Sequence, residues 1–407
     1  MANQALFPYI RCEGTPYEIG RAHGEQGREK IRTSIECYRS MFFDYSGIDW
    51  DTAQRYAHTF IPSIEGYDPD IMTELRGIAD GSGFGLDEIL ALNVRSEIVL
   101  QGSQVKAMLD GGCTSCAFMP YKTETGETWL AQNWDWKEIA QDALIVLEIR
   151  QQNKPDILMI TEAGIVGKIG FNSAGVGVCL NALGSDQRWN GETIPLHVAL
   201  RGVLNSRTLS DAIENAGRIP LACCANFMMA GASGQVITVE IGPGEIDVIY
   251  PEKGYVTHTN HFYGPRTAHI RDTGRMALPD TYLRLGRIND LLRERDGKKI
   301  AIADIQEILR DHVGAPDSIC RHNDMLEPEG KRMQTNFSII MNLSAREMMY
   351  TPGSSGSILA FSRSCSGRSF SIVCSCDAEK NLRSGKQGRA DATPLFRFHV
   401  VGITRKN

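Results

Sequence analysis

The spacing of hydrophobic residues along the chain changes near residue 113. Before that point the spacing is helical: apolar residues lie three or four positions apart between Ile31 and Phe42, and again in "DPDIMTELRGIAD" and "LDEILALNVRSEIVL". A Thr-Pro-Tyr-Glu sequence beginning at Thr15 has the cap, the proline and the glutamate that are typical of a helix start. Residues 1–112 are therefore predicted to form a short strand followed by helices.

After this point the hydrophobic runs become short or alternating, and turn residues separate them, which predicts a multi-stranded and largely antiparallel sheet. The predicted strands are "CTSCAFMP", "TWLAQNW", "ALIVLEIR", "DILMIT", "IVGKIGF", "GVGVCLNAL", "ANFMMAG", "QVITVEIG", "EIDVIY", "GYVTHT", "TNFSIIMNL" and "REMMYT". Helices are predicted at "TIPLHVALRGVLN", at "TLSDAIENAG" and near 280–294 and 301–313. Such runs of strands and helices predict an α+β protein with stacked sheet and helix layers.

The patterning is lost after Thr351. Residues 352–376 hold nine serines, and residues 352–407 hold nine Lys or Arg against three Asp or Glu. We predict three segments: a mainly helical one over 1–112, a main one over 113–351, and a weakly structured Ser/Arg/Cys-rich tail over 352–407. The tail cysteines in "CSGRSFSIVCSC" fit no familiar zinc spacing, and we assign the tail no chemistry.

Composition narrows the classes of function. The chain has 407 residues, a net charge of −6 and no basic stripe, which argues against a nucleic-acid partner. No apolar run has membrane-spanning length and the N-terminus has no signal-peptide pattern, so we expect a cytoplasmic protein with no membrane partner. Eleven cysteines, an odd and scattered set, predict reduced thiols rather than a disulfide framework.

One cysteine stands out by its surroundings. Gly111 and Gly112 leave the carbonyl before Cys113 unshielded, so the Cys113 thiol has room to attack it and form a thioester. Water would then release Cys113 as a new N-terminus. A free α-amine has a pKa of about 7.7–8.0, so this one residue would supply both nucleophile and base. For a cysteine taken at random, a packed thiol is the more common role.

Several motifs resemble one family when they are read in order. "DGGCTSC", "QNWDW", "ITEAGIVGKIGFNSAGVGVCLNAL", "HTNH" and "SICR" are similar to those of the acyl-coenzyme A:isopenicillin-N (6-aminopenicillanic acid) acyltransferases. These are self-processing N-terminal-nucleophile (Ntn) cysteine hydrolases. The resemblance covers roughly residues 7 to 351, and it implies a four-layer αββα sandwich.

The resemblance also implies site residues. Cys113 matches the self-processing nucleophile, cleaved from Gly112. Asp135 matches the acidic residue that positions the amine end of that cysteine. Asn260 matches the side chain that stabilises the oxyanion of a tetrahedral intermediate. Asn181 resembles a second active-site asparagine of the related choloylglycine hydrolases.

Three further residues complete the predicted site. Arg321 matches an arginine near the nucleophile, which would favour the thiolate or bind an anionic substrate group. Ser318 matches a family serine near the site, and we expect it, together with Thr114, to bind substrate. No metal site is expected, because strand alternation would place His258 and His261 on opposite faces.

The chain departs from the family at two places. Gly242 stands where the penicillin-forming member has a serine, which leaves the penicillin substrate open. The chain ends in "RKN", which does not resemble the peroxisomal address of that enzyme.

We therefore expect a self-processing acyltransferase that moves an acyl group from a thioester or an amide to an amine. Its α chain (1–112) and β chain (113–407) would stay together as a heterodimer. Its partners are a small-molecule acyl donor and an amine acceptor, with coenzyme A as co-substrate and no bound cofactor. One alternative is an Ntn amidohydrolase that cleaves a small N-acyl amide. Another is an uncleaved, non-catalytic binding protein whose thiols are structural.

Overall fold

The strands of the protein form two sheets. The structure, a computed structural model, describes residues 7–101, 112–187, 189–354, 359–363 and 370–374. Its strands are β1 (Tyr9–Gly14), β2 (Cys113–Phe118), β3 (Trp129–Lys137), β4 (Leu144–Gln151), β5 (Ile157–Glu162), β6 (Ile169–Asn172), β7 (Val176–Ala182), β8 (Ala225–Gly231), β9 (Val236–Gly242), β10 (Glu245–Ile249), β11 (Tyr255–His258), β12 (Met333–Asn342), β13 (Glu347–Pro352), β14 (Leu359–Arg363) and β15 (Phe370–Cys374).

Helices cover the outer faces of these sheets. They are α1 (Pro16–Ser46), α2 (Trp50–His58), α3 (Ile61–Tyr67), α4 (Pro69–Ser82), α5 (Leu86–Asn93), α6 (Arg95–Gln101), α7 (Leu196–Leu204), α8 (Leu209–Gly217), α9 (Gly274–Ala277), α10 (Asp280–Arg293) and α11 (Ile302–Leu309). Every strand and helix predicted from the hydrophobic pattern is present. Within the described residues, no helix is both long and apolar enough to span a membrane.

The two sheets lie face to face. One has the strand order β1-β4-β5-β6-β7-β8-β9-β10 and the other the order β11-β2-β3-β12-β13-β14-β15. Strands β1 and β4 pair in parallel, and the other described neighbours pair antiparallel. Strands β2 and β3 pack on β7 and β8, while α1, α7 and α8 cover one sheet and α10 and α11 the other. The predicted four-layer αββα sandwich is confirmed.

Strand β2 is buried on both faces. Its side chains point alternately to the two faces of the sheet, so they enter two different hydrophobic cores. Cys113 and Ala117 belong to the large core that includes the space between the sheets. Cys116 and Phe118 belong to the core under α10 and α11. Cys113 and Cys116 therefore lie on opposite faces of the sheet, and both are free thiols.

The segment before Cys113 shares its core with the segment after it. Strand β1 pairs with β4 from Tyr9 to Gly14, and side chains of α1 lie in the same hydrophobic cluster as those of β5 and β7. The Ser34 hydroxyl of α1 donates to the Ala163 carbonyl at 2.8 Å. Hydrogen bonds and apolar contacts thus join the segment before Cys113 to the eight-stranded sheet.

Helices α1 and α4 approach closely through glycines. A Cβ atom added at Gly20 would lie 2.0 Å from the Glu74 carbonyl oxygen, and one added at Gly77 would lie 2.3 Å from the Tyr17 carbonyl oxygen. Since non-bonded heavy atoms do not approach this closely, only glycine allows the two backbones to pack at this distance.

Two short strands lie in the tail where sequence analysis assigned none. These are β14 and β15, which extend the seven-stranded sheet beyond β13. The prediction of a weakly structured tail falls largely on residues 355–358, 364–369 and 375–407, which lie outside the described residues.

Candidate active site

Cys113 begins β2, which lies between the edge strand β11 and β3 in the seven-stranded sheet. Its Cα pairs with that of Trp134 in β3, and its side chain is buried. Burial and the neighbouring Asp135 carboxyl raise the pKa of the Cys113 thiol to about 12, although a hydrogen bond from the Asp135 backbone opposes them. In the uncut chain the thiol is therefore neutral at physiological pH.

The Gly112–Cys113 peptide is held on both of its polar atoms. The Asp135 backbone N–H donates to the Gly112 carbonyl oxygen at 2.8 Å. The Cys113 N–H donates to Asn260 Oδ1 at 2.7 Å. A Cβ atom at Gly112 would lie 3.1 Å from both Arg321 Nε and Asp135 Oδ2. The site thus fits a glycine before the cysteine and places a donor on the carbonyl that the thiol would attack.

Asn260 lies just after β11, and its amide is held from both ends. Its Oδ1 accepts from Cys113 N–H and, at 3.0 Å, from Arg284 Nη2. Its Nδ2 donates to the Ala182 carbonyl at 3.0 Å. Because two donors meet one end and a carbonyl meets the other, the orientation of the amide is fixed by its partners. The second Nδ2 hydrogen has no recorded partner among the described residues.

Arg284, which sequence analysis missed, holds the Cys113 backbone and the Thr114 side chain. It projects from α10 and is fully buried, and its Nη1 donates to the Cys113 carbonyl at 2.8 Å and to Thr114 Oγ1 at 3.2 Å. Asp280, on the first turn of the same helix, accepts from Arg284 Nε at 2.7 Å. The helical pattern of "TYLRLGRIND" predicts the helix, but it does not show that this arginine points inward.

The side chains of Asp135 and Arg321 lie together beside Gly112. Asp135 Oδ1 accepts from the Thr335 hydroxyl at 2.7 Å. Asp135 Oδ2 lies 3.8 Å from Arg321 Nε. Both Asp135 Oδ2 and Arg321 Nε are buried, and neither has a hydrogen-bond partner among the described residues. Arg321 Nη2 also donates to Asp280 at 2.5 Å. Burial raises the pKa of Asp135 to about 7, against the lowering effect of Arg321 and Arg284.

Asn181, on β7, faces Cys113 from the opposite sheet. Its Nδ2 donates to the Cys113 carbonyl at 3.3 Å. Its Oδ1 accepts from the Ser115 hydroxyl at 2.7 Å and from Asn226 Nδ2 at 3.1 Å. The structure therefore brings Cys113, Asp135, Asn181, Asn260 and Arg321 into one buried cluster.

The two residues expected to bind substrate lie differently. Ser318 is buried and its hydroxyl donates to the Cys320 carbonyl at 2.6 Å, which closes the turn before Arg321. Thr114 alternates with Cys113 along β2, so its side chain points to the α10 side of the sheet, where it accepts from Arg284. Substrate binding by Ser318 and Thr114 stays a prediction.

A buried ionic cluster, also missed by sequence analysis, lies against Trp134. Lys168 Nζ lies 3.7 Å from the ring centroid of Trp134, the cross-strand neighbour of Cys113, and forms an ion pair with Glu162. Arg95 lies 3.5 Å from the same carboxylate. Burial lowers the pKa of Lys168 to about 7, although Glu162 opposes this. The sequence offered one signal for this cluster: Glu162 directly follows the apolar run "DILMIT", and Lys168 lies inside the apolar run "IVGKIGF".

A family model and a sequence relative both match this chain to the same group of acyltransferases. A family model described as acyl-coenzyme A:6-aminopenicillanic acid acyl-transferase matches residues 122–354. The acyl-coenzyme A:6-aminopenicillanic-acid-acyltransferase 40 kDa form of Emericella nidulans is 32% identical over 345 residues, which cover 83% of this chain and 90% of that protein.

Two solved structures show a more distant similarity. A variant of conjugated bile acid hydrolase from Clostridium perfringens matches with a TM-score of 0.45 at 16% identity, over 64% of this chain and 97% of that one. Penicillin V acylase from Agrobacterium tumefaciens matches with a TM-score of 0.42 at 12% identity, over 64% of this chain and 91% of that one.

Proposed function

The chain belongs to the acyl-coenzyme A:6-aminopenicillanic acid acyl-transferase family, and on this premise we propose that it activates itself by cutting the Gly112–Cys113 bond and then transfers acyl groups through the Cys113 thiol. The observation that carries the proposal is the pair of hydrogen bonds that holds this one peptide. Its carbonyl accepts from the Asp135 N–H and its nitrogen donates to Asn260. A buried peptide held at both ends beside a thiol is arranged for an acyl shift from nitrogen to sulfur.

Self-cleavage would run as follows. The Cys113 sulfur attacks the Gly112 carbonyl carbon, and the negative charge that develops on the oxygen is stabilised by the Asp135 N–H. The carbon–nitrogen bond breaks, the nitrogen takes the proton that the thiol has lost, and a thioester joins Gly112 to Cys113. Water hydrolyses this thioester, which leaves a carboxyl group on Gly112 and a free thiol and amine on Cys113.

The free amine changes the chemistry of the thiol. With a pKa of about 7.7–8.0 in the absence of other effects, an α-amine can take the thiol proton near neutral pH, which the peptide nitrogen cannot do. Cys113 would then attack the carbonyl of an acyl-coenzyme A thioester or of an amide and form an acyl-enzyme. An amine acceptor would attack the acyl-enzyme, take the acyl group and regenerate the thiol. Coenzyme A is a co-substrate in this scheme, and no metal takes part in it.

The surrounding side chains suggest distinct roles. Asn260 holds the nitrogen of Cys113 through Oδ1 and has one Nδ2 hydrogen left for an oxyanion. Asn181 and Arg284 hold the Cys113 carbonyl, so the nucleophile keeps its position when its own nitrogen is released. We propose that Asp135 and Arg321 act on the amine end, where the unpartnered Asp135 Oδ2 lies next to the Gly112 backbone.

The two products would remain a heterodimer. Residues 1–112 supply β1 to the eight-stranded sheet and α1 to the shared core. The Asn93 amide adds a hydrogen bond to the Gly164 carbonyl at 2.8 Å. Separation of the α chain from the β chain would expose this apolar surface to water, which opposes dissociation.

Intact mass spectrometry under denaturing conditions tests the proposal. We expect two chains that divide between Gly112 and Cys113, and a single chain for Cys113→Ala. The processed protein is then assayed with an amine acceptor, with and without acyl-coenzyme A. Turnover that requires acyl-coenzyme A supports transfer, whereas release of acid from an N-acyl amine without it would favour the amidohydrolase alternative. A wild-type chain that stays uncut and reacts at Cys113 no faster than at its other thiols would contradict the proposal.

A further inference from the structure

The loop after α11 brings together three side chains that the acyl-transfer scheme does not use. These are His312, Cys320 and His322, and one donor atom from each lies within 4.8 Å of the other two. Cys320 is buried, His322 is half-buried and His312 is exposed. The cluster therefore has a closed inner side and an open outer side.

The two inner donor atoms already face each other. His322 Nε2 lies 4.0 Å from Cys320 Sγ. In a tetrahedral zinc site with bonds of about 2.3 Å to sulfur and 2.0–2.1 Å to nitrogen, these atoms would lie about 3.6 Å apart. A shift of a few tenths of an ångström would thus bring the pair to the spacing of zinc ligands.

His322 is also oriented in the way that metal-binding histidines are. Its other nitrogen, Nδ1, lies 3.3 Å from the Ser354 hydroxyl, which leaves Nε2 directed at the cysteine sulfur. Such an outer hydrogen bond fixes the tautomer and the ring position of a ligand. The His312 ring stacks on the His322 ring, with centroids 4.9 Å apart, so its nitrogens reach the same space.

Backbone hydrogen bonds hold the loop in this shape. The Cys320 N–H donates to the Asp311 carbonyl at 2.9 Å, which places the cysteine beside the start of the loop. The His322 N–H donates to the Pro316 carbonyl at 3.0 Å. The hydrogen-bonded backbone of the loop therefore keeps the three side chains close together.

We propose that His312, Cys320 and His322 form a binding site for one thiophilic divalent cation, Zn²⁺ in the first instance. The cation would bond to Cys320 Sγ and to one nitrogen of each histidine. The thiol proton would pass to solvent as the metal–sulfur bond forms. The fourth position would face outward and take water, which gives the three-ligand arrangement of an open zinc site.

The site would also couple to the active site through its neighbour in the sequence. Arg321 lies between two of the ligands, and its backbone N–H donates to the Thr335 hydroxyl at 2.9 Å. That hydroxyl donates in turn to Asp135. A bound cation would thus tether the segment from which Arg321 reaches Asp135 and Asp280.

Titration of the chelator-treated full chain with Co²⁺ tests the site directly, because a cobalt–thiolate bond gives a charge-transfer absorption band that imidazole ligands alone do not give. We expect one equivalent of Co²⁺ to produce the band and Zn²⁺ to abolish it by displacement. Cys320→Ser should lose the band, and His312→Ala and His322→Ala should each weaken Co²⁺ binding at least about tenfold. His322→Gln, which keeps a hydrogen-bonding side chain, serves as the milder variant if Cys320→Ser does not fold.

Other thiols provide the controls. Cys113→Ala and a chain with Cys365, Cys374 and Cys376 all changed to Ser should both keep the band. The proposal is overturned if wild type shows no band, if the band survives in Cys320→Ser, or if either control variant loses it.

Discussion

Asn260 Oδ1 lies 2.7 Å from the backbone nitrogen of Cys113, although the two residues are 147 positions apart in the chain. This contact is central to the proposal, because the nitrogen that Asn260 holds is the group that the proposed self-cleavage would release. The same oxygen also accepts from Arg284. Two donors converge on this oxygen, and they fix its position next to the bond that we propose is cut.

Removal of the Asn260 side chain should impair both cleavage and turnover. In Asn260→Ala the Cys113 nitrogen loses its acceptor and the oxyanion loses a donor, and we expect a loss of about 10²–10³-fold in kcat, as for other single oxyanion donors. Time-resolved mass spectrometry measures the cleavage, and acyl transfer by the cleaved fraction measures turnover. Asn289→Ala, which removes a half-buried asparagine bonded to Thr257, should leave both rates near wild type.

A larger residue before the cysteine should slow cleavage. A Cβ atom at Gly112 would already lie 3.1 Å from Asp135 Oδ2 and from Arg321 Nε, so the branched side chain of Gly112→Val must displace one of them. We expect uncut precursor to accumulate in Gly112→Val, with a smaller effect in Gly112→Ala. Gly330→Ala, at a position with open space, is the control. Cleavage of the valine variant at the wild-type rate would mean that the Gly112 carbonyl is not held as described.

Arg284 and Arg287 form a matched pair on α10. Arg284 is fully buried and bonds to Cys113, Thr114 and Asn260, whereas Arg287 pairs with Asp311 near the surface. Because lysine cannot reproduce the planar fork of arginine, Arg284→Lys should lower the cleavage rate at least about tenfold, and Arg287→Lys should change it little. Equal effects of the two substitutions, measured by mass spectrometry, would exclude a positioning role for Arg284.

Asp135 should make stability depend on pH. Burial raises its pKa in the folded protein to about 7, so folding favours the protonated form. This contribution is fully present below the pKa of the unfolded chain, near pH 4, and is lost as pH rises through about 7. Wild type should therefore lose stability between pH 4 and pH 8, whereas Asp135→Asn should not show this loss. The difference in the free energy of unfolding, variant minus wild type, should increase over this range by up to about 4 kcal/mol. Urea unfolding of the Cys113→Ala precursor, with and without the substitution, measures this, and exposed Asp142→Asn is the control. A difference independent of pH would contradict the assignment.

Glycine substitutions in two helices should have opposite effects on stability. Gly20→Ala places a Cβ atom 2.0 Å from the Glu74 carbonyl oxygen and must push α1 from α4, at a cost of about 1–3 kcal/mol. Gly286→Ala, on α10 with nothing within 4 Å, should stabilise the protein by about 0.5–1 kcal/mol, because alanine favours the helix. Thermal or urea unfolding of both variants gives the comparison. A neutral Gly20→Ala would show that the two helices can separate at little cost.

Local patterns were sufficient to predict most of the fold, whereas the role of Cys113 as the nucleophile stays a prediction. Alternating and continuous apolar runs predicted the strands from β2 to β13, because half-buried and fully buried strands leave different signatures. The strands β14 and β15 were missed, since serine-rich segments carry neither signature. Their pairing depends on an existing sheet edge at β13, which is a property of the tertiary structure.

The candidate site was predicted in part. Cys113, Asp135, Asn181, Asn260 and Arg321 were named from motifs, and the fold brings them together. Arg284 and Asp280 were missed because an arginine and an aspartate at helical spacing indicate a solvated face as readily as an inner one. In the folded protein Arg284 is buried and Asp280 is half-buried, which the sequence pattern alone does not indicate. Glu162, at the end of β5, and Lys168, just before β6, were also missed, since such an ion pair has no characteristic spacing in the sequence.

The pairing of β1 with β4 joins strands that lie on either side of Cys113. In the intact precursor the chain tethers them, and this tether keeps their effective concentration high during folding. The proposed cleavage would remove this tether, and an unfolded molecule could then reassemble only by an encounter between separate chains. The lifetime of the mature enzyme would then depend on how slowly it unfolds rather than on reversible folding. Each active site would be the product of a single folding event, and lost molecules would be replaced by synthesis, not by repair.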